Sequence, residues 1–284
     1  AICPGLAKYY RRGDQVCEQP FGWRCFIWNY FRRCSSARHP ATMLRLMKTT
    51  ARLKVAYQSA MQLVVGSSYM RALLVQNGFD ATNITVLPPH FVTPNALPPF
   101  MPAPDSTRVL FAGRLEIEKG LPHLLRAMTL LPPSLTLVVA GEGTQSNACK
   151  RLATSLGLGD RVIFVGWQNE AGMRNLYQTS SAIVVPSLCP ESFGKVGVEA
   201  LAHGRPVVAY AVGGIKDWLT DGVTGRLVAP ANVLGLAQAI AGLLADPALC
   251  EQMGRNGQQY VRDNLNPDVH LSRLLAVFAR AIEG

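Results

Sequence analysis

The stretch that decides the fold of this 284-residue chain reads PSLCPESFGKVGVEA and runs from Pro186 to Ala200. It follows a short apolar run, Ala182–Val185, whose length is typical of a buried strand. Gly194 then precedes a segment of helical character, so the stretch is predicted to be a loop that leads from a strand into a helix. A buried strand followed at once by a helix is the repeating unit of a parallel α/β sheet.

The same unit recurs on both sides of this stretch. Short apolar strands alternate with helix-length segments, which predicts an α/β fold in which helices cover both faces of a parallel sheet. In such sheets a ligand binds at the carboxyl ends of the strands, where the strand order reverses. The predicted strands are 108–111, 135–139, 162–165, 182–185 and 206–210, and the predicted helices are 120–131, 145–156, 170–178, 195–203, 214–219, 232–245, 247–262 and 267–282.

The first part of the chain has the pattern of the end of a second α/β domain without its beginning. A helical pattern over 41–60 precedes an apolar strand over 62–66, and Ser67 and Ser68 are candidate N-caps for a helix over 69–77. A proline-rich stretch follows, which favours an extended linker. We therefore predict a domain remnant over 1–93, a linker over 94–107, a complete domain over 108–265 and a last helix over 266–284.

The net charge of +10 is concentrated at the front of the chain. Residues 1–54 hold 11 Lys and Arg against two acidic residues, whereas residues 55–284 hold 17 basic and 16 acidic residues. A basic, aromatic-rich front fits an anionic membrane surface or a solvated face without a partner. Charge alone also fits nucleic acid, but no nucleic-acid motif accompanies it, so we expect no such partner. Membrane contact is expected through residues 8–54.

No segment suggests a membrane span or secretion. No apolar run reaches the roughly 18 residues of a membrane-spanning helix, and no basic start precedes an apolar signal region. We therefore expect a cytoplasmic protein, with the basic front at the inner face of the membrane. Four of the seven cysteines lie near the front, without the paired C-x-x-C spacing of common zinc sites. A zinc site, a disulfide and ordinary reduced thiols all stay open for Cys3, Cys17, Cys25 and Cys34.

Two carboxylates lie eight residues apart in the deciding stretch, Glu191 in the loop and Glu199 in the helix. The N-terminus of that helix offers unpaired N–H groups and the positive end of the helix dipole, which suits a diphosphate. Gly194 lets a ligand approach the backbone closely. The carboxylates can then accept hydrogen bonds from hydroxyl groups at opposite ends of one bound molecule. The alternative for such an acidic pair is a helix-capping arrangement.

A second cluster follows the first strand of the sheet, where the sequence reads FAGRLEIEKG from Phe111 to Gly120. Arg114 and Lys119 are the fixed positive charges that a transferred diphosphate needs. Arginine grips such a group bidentately, and lysine acts as a point charge. A lone basic residue at a strand end is more often only solvated, so each residue taken singly is weak support for a site.

Seven motifs together resemble the group 1 retaining glycosyltransferases, whose two-Rossmann-domain architecture is called GT-B. The resemblance is strong over about 108–230 and loose elsewhere. It implies that 108–265 is a Rossmann-like domain that binds a nucleotide sugar. It also implies that 1–93 is what remains of an acceptor-binding domain, and that 266–284 crosses back to it. The motifs are Gly113–Gly120, Ala140–Gly143, Phe164–Trp167, Pro186–Ala200, Gly204–Val208, Val212–Gly214 and Asp221–Gly225.

The resemblance assigns a role to each site residue. Arg114 and Lys119 would bind the donor diphosphate and stabilise the leaving nucleotide, and Glu191 would contact hydroxyls of the donor sugar. Glu199 would hold the ribose, and the base would lie near Trp167. The expected catalytic residues are Arg114, Lys119 and Glu191, and the expected donor-binding residues are Gly113, Arg114, Lys119, Gly166, Trp167, Glu191, Ser192, Phe193, Gly194, Lys195, Val196 and Glu199.

The resemblance also implies a reaction. A hexose would pass with retention from a nucleotide diphosphate sugar to a saccharide or lipid-linked acceptor, without a metal or other cofactor. Asp217 stands where the family usually has Glu, and we expect a small effect. The family's glycine-rich acceptor loop, and a histidine just before the segment that resembles Ile2–Pro4, have no counterpart here.

The alternative is therefore a truncated, catalytically impaired module that binds a sugar nucleotide. An epimerase or phosphorylase on the same architecture would need further acid–base residues or a covalently held cofactor. The sequence shows no constellation for either.

Overall fold

The computed structural model describes residues 3, 8–10, 12–13, 15–34, 39–91, 97–102 and 107–283. Sequence predictions that rest on other positions, such as Pro94 and Pro104 of the predicted linker, lie outside the described residues. Regular structure within the described ranges falls into a first region, up to Val86, and a second region, from Arg108 onward.

The first region contains a hairpin, a small parallel sheet and three helices. The strand over 63–65 and two of the helices follow the sequence prediction, and the Ser67 side chain caps its helix by accepting the Met70 N–H at 3.2 Å. The hairpin and the first helix were not predicted, because residues 1–40 show no clean hydrophobic period. These elements are β1 (Tyr9–Tyr10), β2 (Gln15–Val16), α1 (Arg24–Arg32), α2 (Pro40–Gln58), β3 (Leu63–Val65), α3 (Ser68–Gln76) and β4 (Ile84–Val86).

The second region alternates strands and helices, which confirms the predicted α/β fold. Two differences are local: the predicted helix over 214–219 is a 3₁₀ turn, Gly213–Asp217, and the short strand that begins at Gly225 was not predicted. The elements are β5 (Arg108–Ala112), α4 (Leu121–Met128), β6 (Thr136–Ala140), α5 (Ser146–Ser155), β7 (Val162–Gly166), α6 (Glu170–Gln178), β8 (Ala182–Val185), α7 (Lys195–Ala202), β9 (Val207–Tyr210), β10 (Gly225–Val228), α8 (Val233–Leu244), α9 (Pro247–Asn264) and α10 (Pro267–Glu283).

The six strands of the second region form one parallel sheet in the order β10-β9-β8-β5-β6-β7. Every residue of β8 and β9 is buried, because helices cover both faces of the sheet there. Within this sheet, β5 is the first strand in sequence and lies in the middle. The strands β6 and β7 follow on one side of it, and β8, β9 and β10 follow on the other. Val109 of β5 pairs with Ala182 of β8. The strand order therefore reverses between β5 and β8, where a ligand crevice is expected.

Three side chains join the two regions. Asp217 accepts hydrogen bonds from both the backbone N–H and the hydroxyl of Ser68, each at 2.5 Å, and so caps α3. On α10, His270 Nδ1 lies 2.9 Å from the Pro88 carbonyl, and Arg280 donates to the Thr85 hydroxyl at 3.1 Å. The division into 1–93, 94–107, 108–265 and 266–284 stays a prediction.

The last helix is buried on one side only. Val277 is buried, whereas Leu271, Leu275 and Phe278 are between 54% and 56% exposed. Among the described residues, no single helix has the length and apolar character needed to cross a membrane. One pair of consecutive helical segments, Val233–Leu244 and Pro247–Ile282, meets that test together but bends by 99° at the break.

Candidate functional site

A cavity of about 440 Å³ opens at the carboxyl ends of β5 and β8. We call it the main cavity because of this position and not because of its size. This is the position where the strand order reverses. Pro89, His90 and Phe91, which follow the last strand of the first region, also line it. Nine of the twelve predicted site residues line it together: Gly113, Arg114, Lys119, Glu191, Ser192, Phe193, Gly194, Lys195 and Val196.

The loop Pro186–Gly194 forms one wall of the main cavity, and backbone hydrogen bonds hold it on two sides. The Leu188 N–H donates to the Glu118 carbonyl at 2.8 Å, which ties the loop to the turn after β5. The Gly214 N–H donates to the Glu191 carbonyl at 2.8 Å, which ties it to the 3₁₀ turn after β9. The position of Glu191 is therefore set by backbone groups from two other loops.

The loop lies so close to its two neighbouring turns that each turn needs a glycine at the contact. A Cβ atom on Gly120 would lie 1.8 Å from the Pro186 carbonyl oxygen, and one on Gly213 would lie 2.3 Å from the Glu191 carbonyl oxygen. Both glycines also have positive φ angles, +71° and +56°, which side-chain-bearing residues rarely adopt. A larger residue at either position would push the loop away from its neighbours.

An ion pair crosses the main cavity from the turn after β5 to this loop. Lys119 Nζ lies 2.6 Å from Glu191 Oε1, and the Ser187 hydroxyl donates to the same oxygen at 2.5 Å. Both side chains of the ion pair are largely buried, with 23% and 16% of their surface exposed. Among the described residues no further contact uses Glu191 Oε2, so that oxygen is available to a ligand hydroxyl.

The second basic residue of the main cavity is differently placed. Arg114 is exposed, and within the described ranges it forms no hydrogen bond or ion pair. Its neighbour Gly113 has open space where a Cβ would be. The guanidinium therefore presents an uncompensated positive charge beside a stretch of backbone that a ligand can approach closely.

The first turn of α7 contributes backbone donors to the same cavity. Its N-cap, Gly194, has φ +91° and provides no side-chain cap, and Lys195 and Val196 both line the cavity. The turn is anchored from behind, since Trp218 Nε1 donates to the Phe193 carbonyl at 2.5 Å. The N–H groups at the positive end of the helix dipole are therefore open to an anion.

Glu199 lies one turn further along α7, outside the lining of the main cavity. Its Oε2 accepts a hydrogen bond from the Tyr177 hydroxyl at 2.9 Å, and its Oε1 lies 3.6 Å from Lys195 Nζ. Burial raises the pKa of Tyr177 well above its ordinary value, and the Glu199 charge raises it further. Tyr177 is therefore a fixed hydrogen-bond donor that orients the carboxylate, and sequence reasoning missed it because 22 residues separate the pair.

Tyr177 is itself held by a stack. The His203 ring lies parallel to it at 5.0 Å, and Arg205 donates to the Tyr177 carbonyl at 2.9 Å. Burial lowers the pKa of His203 to about 4, and the nearby charges of Arg174 and Arg205 add to the effect. His203 is therefore neutral at neutral pH and serves as a packing residue behind Glu199.

The remaining predicted residues, Gly166 and Trp167, lie beyond the main cavity at the end of β7. The Gly166 carbonyl accepts the Gly141 N–H at 2.7 Å, and the Trp167 ring is 71% exposed. The sequence analysis assigned no role to His90 or Ser187, although both line the cavity. Ser187 lies two residues after the end of β8, and this position at a strand end could have identified it from the sequence. His90 reaches the cavity only through tertiary structure.

No group of three or more His, Cys, Asp or Glu side chains is arranged to hold a metal ion in the part of the chain that the structure describes. The expectation that no metal or cofactor is needed at the main cavity stays a prediction. The basic side chains that line that cavity are those of Arg114, Lys119 and Lys195.

The fold and the main cavity together define an α/β protein whose ligand site faces the carboxyl edge of a doubly wound parallel sheet. The family model of the glycosyl transferases group 1 matches residues 99–260. This match covers more than half of the chain, so the chain belongs to the group 1 glycosyl transferases.

Two curated relatives match the same part of the chain. An uncharacterised glycosyltransferase of Methanocaldococcus jannaschii is 33% identical over 181 residues, which cover 63% of this chain and 46% of the relative. The D-inositol 3-phosphate glycosyltransferase of Mycolicibacterium paratuberculosis is 40% identical over 184 residues, which cover 63% and 41% respectively. The match therefore spans less than half the length of these relatives.

Two solved structures share the fold. The sucrose-phosphate synthase of Thermosynechococcus elongatus has a TM-score of 0.74 at 28% identity, over 90% of this chain and 66% of its own. The Anabaena protein HepE, solved with UDP and glucose, has a TM-score of 0.73 at 23% identity, over 82% and 67%. These likenesses confirm the predicted fold class.

We predict that His203 makes the protein less stable in mild acid. Its pKa is about 4 when folded against 6.5 as the ordinary value, so the unfolded chain binds the extra proton between these pH values. The stability contributed by the neutral ring is fully present above pH 6.5 and is lost as the pH falls toward 4, by at most about 3 kcal/mol. The free energy of urea unfolding, measured between pH about 7 and about 4.5, is therefore expected to vary less in His203→Gln.

The matched control is His39→Gln, because His39 is exposed. The control is expected to retain the pH dependence of the unmodified chain. An equally steep loss of stability in His203→Gln would show that His203 does not cause it.

Proposed function

We propose that this chain binds a nucleotide diphosphate sugar in the main cavity and transfers the sugar from it. The observation that carries the proposal is the meeting of three groups that favour anions at one place: Arg114, Lys119 and the open N-terminus of α7. A volume of about 440 Å³ suits a small-molecule ligand. Membership of the glycosyl transferase family supports a sugar nucleotide as that ligand.

The two basic residues have different tasks in this proposal. Arg114 has no competing partner and grips the diphosphate bidentately. Lys119 is already fixed by Glu191, so it adds a point charge whose position does not change as the bond to the sugar breaks. Both stabilise the negative charge that develops on the leaving nucleotide, because preorganised charges act most strongly where water is excluded. Glu191 binds a sugar hydroxyl through Oε2.

The nucleoside end of the donor extends past Lys195 toward Glu199. The Tyr177 hydroxyl fixes one oxygen of that carboxylate, which then accepts hydrogen bonds from the ribose hydroxyls. The exposed Trp167 offers an aromatic surface for the base. Glu199 and Trp167 therefore belong to the donor site although neither lines the main cavity.

Finer features of the reaction follow from the family resemblance. We propose a hexose as the transferred sugar, retention of its anomeric configuration and a saccharide or lipid-linked acceptor. Arg114 and Lys119 can supply the positive charge that a metal ion supplies in other enzymes, so we propose that transfer needs no metal. The alternative, a module that binds the donor without transferring its sugar, is decided by the same experiment as the donor site.

Isothermal titration of the chain with a panel of nucleoside diphosphates and their sugars is expected to identify one nucleotide that binds. Hydrogen bonds to charged groups contribute about 1.5–3 kcal/mol. Arg114→Ala and Glu199→Ala are therefore each expected to weaken binding about 10- to 100-fold. Tyr177→Phe leaves the carboxylate in place but frees its orientation, so a smaller loss is expected.

One exposed and one partly exposed residue, on helices outside the cavity, provide matched controls. Arg151→Ala on α5 and Glu251→Ala on α9 are expected to bind the nucleotide as the unmodified chain does. A folded chain that binds no member of the panel would contradict the donor site. Binding without release of sugar, to water or to any acceptor tested, would favour the binding module over the transferase.

We also propose that α1 and α2 face an anionic membrane surface. Helix α2 has no acidic residue, and it exposes Arg45, Lys48 and Arg52 together with Leu44 and Val55. Basic and apolar side chains on one surface are the combination that binds anionic lipid head groups. A cytoplasmic location at the inner membrane face is part of this proposal.

Sedimentation with lipid vesicles tests this surface. We predict that the chain binds phosphatidylglycerol-containing vesicles but not pure phosphatidylcholine, and that added salt weakens binding. Each basic side chain near such a surface contributes about 1 kcal/mol, so Arg45→Glu is expected to weaken binding about fivefold or more. Arg151→Glu, the same charge change on exposed α5, is the control. Equal losses in both variants would reflect net charge only and would contradict a membrane face on α2.

A further inference from the structure

Four cysteines of the first region line the same small cavity, outside every element used by the donor site. Cys3, Cys17, Cys25 and Cys34 all line a single small cavity of about 20 Å³, which we call the thiol cavity. The sequence separates these cysteines by 14, 8 and 9 positions, so the fold brings them together rather than a local motif. All four are half-buried, free thiols.

Backbone geometry directs three of these thiols to the cavity. Cys17 directly follows β2, and its N–H donates to the Lys8 carbonyl at 2.7 Å. Cys25 lies in the first turn of α1, where its N–H bonds to the Gly22 carbonyl. Cys34 follows the left-handed residue that ends α1, with φ +52°. The thiols thus come from both ends of the helix and from the hairpin.

This part of the chain has little else to hold it together. Among the described residues of 8–34, Tyr9 and Tyr10 are the only ones in the buried apolar core. The regular elements there are two strands of two residues and one helix of nine. Small folds with so little buried apolar surface usually depend on a cross-link or a metal ion.

We propose that Cys3, Cys17, Cys25 and Cys34 bind one structural Zn²⁺ ion. Four thiolates form the tetrahedral sulfur set that is typical of closed, non-catalytic zinc sites. Binding replaces the four S–H protons, so up to four protons leave for each ion and the complex carries a charge of −2. The ion would join Cys3 and both ends of α1 to the hairpin.

The charges around the thiol cavity favour such an anionic complex. Lys8 lines the cavity, and its Nζ donates to the Gln19 carbonyl. Arg32 lies over the rings of Tyr10 and Trp28, at 5.5 and 5.2 Å, and both rings also line the cavity. Among the described residues, no Asp or Glu lines this cavity.

Across the residues that the structure describes, no group of three or more His, Cys, Asp or Glu side chains is close enough to hold a metal ion. The four cysteines of the thiol cavity are included in that finding. Zn²⁺ draws thiolate sulfur to about 2.3 Å, so the ion would bring the four side chains closer together than they stand here.

Metal analysis of the full chain, purified without chelator, tests the proposal. About one equivalent of zinc per chain is expected. Titration of the metal-free chain with CoCl₂ is expected to give the tetrahedral d–d bands and thiolate charge-transfer absorption of a four-sulfur site, and ZnCl₂ is expected to abolish them. These two measurements use the unmodified chain, so they hold even if a cysteine variant fails to fold.

Single substitutions locate the site. Cys17→Ser and Cys25→Ser are each expected to weaken zinc binding more than the 10- to 100-fold that loss of a supporting residue causes. The control is Cys250→Ser, because Cys250 is buried in α9 and its thiol donates to the Leu243 carbonyl. Any of four results would overturn the proposal. These are zinc loss from the control variant alone, iron in place of zinc, disulfides between the four cysteines, and four free thiols that bind neither Zn²⁺ nor Co²⁺.

Discussion

The main cavity depends on how closely the loop Pro186–Gly194 can approach its neighbours. Gly120 and Gly213 set that distance, because a side chain on either would collide with the carbonyl oxygen of Pro186 or of Glu191. Only at this separation can the ion pair between Lys119 and Glu191 form at 2.6 Å. The charged groups of the site are therefore positioned by backbone contacts that contain no charge at all.

That constraint divides the charges of the cavity into two kinds. The Lys119–Glu191 pair is largely buried and internally compensated, and the Ser187 hydroxyl holds its carboxylate. A compensated pair keeps its geometry when a ligand enters, which is the condition for electrostatic preorganisation. Arg114 remains exposed and uncompensated, so together with the N-terminus of α7 it adds attraction for an anion to the fixed charge of Lys119.

Sequence reasoning succeeded where the cause of structure is local. The apolar runs that became β8 and β9 predicted a buried parallel sheet, and Ser67 was correctly expected to cap α3. It failed where contacts join distant residues. Tyr177 reaches Glu199 across 22 positions, and no spacing rule announces that hydrogen bond. The family resemblance named the nine cavity residues, and they lie together because their motifs lie at strand ends, which the topology brings to one edge.

One turn connects this site to the first region of the chain. The 3₁₀ turn Gly213–Asp217 carries at its start the glycines that hold the Glu191 backbone. At its end, Asp217 caps α3 through Ser68. The turn spans five residues, so its contacts with Glu191 and with α3 belong to one short element. The loop that places Glu191 is therefore supported by an element that also contacts the first region, and the geometry of the main cavity depends on both regions.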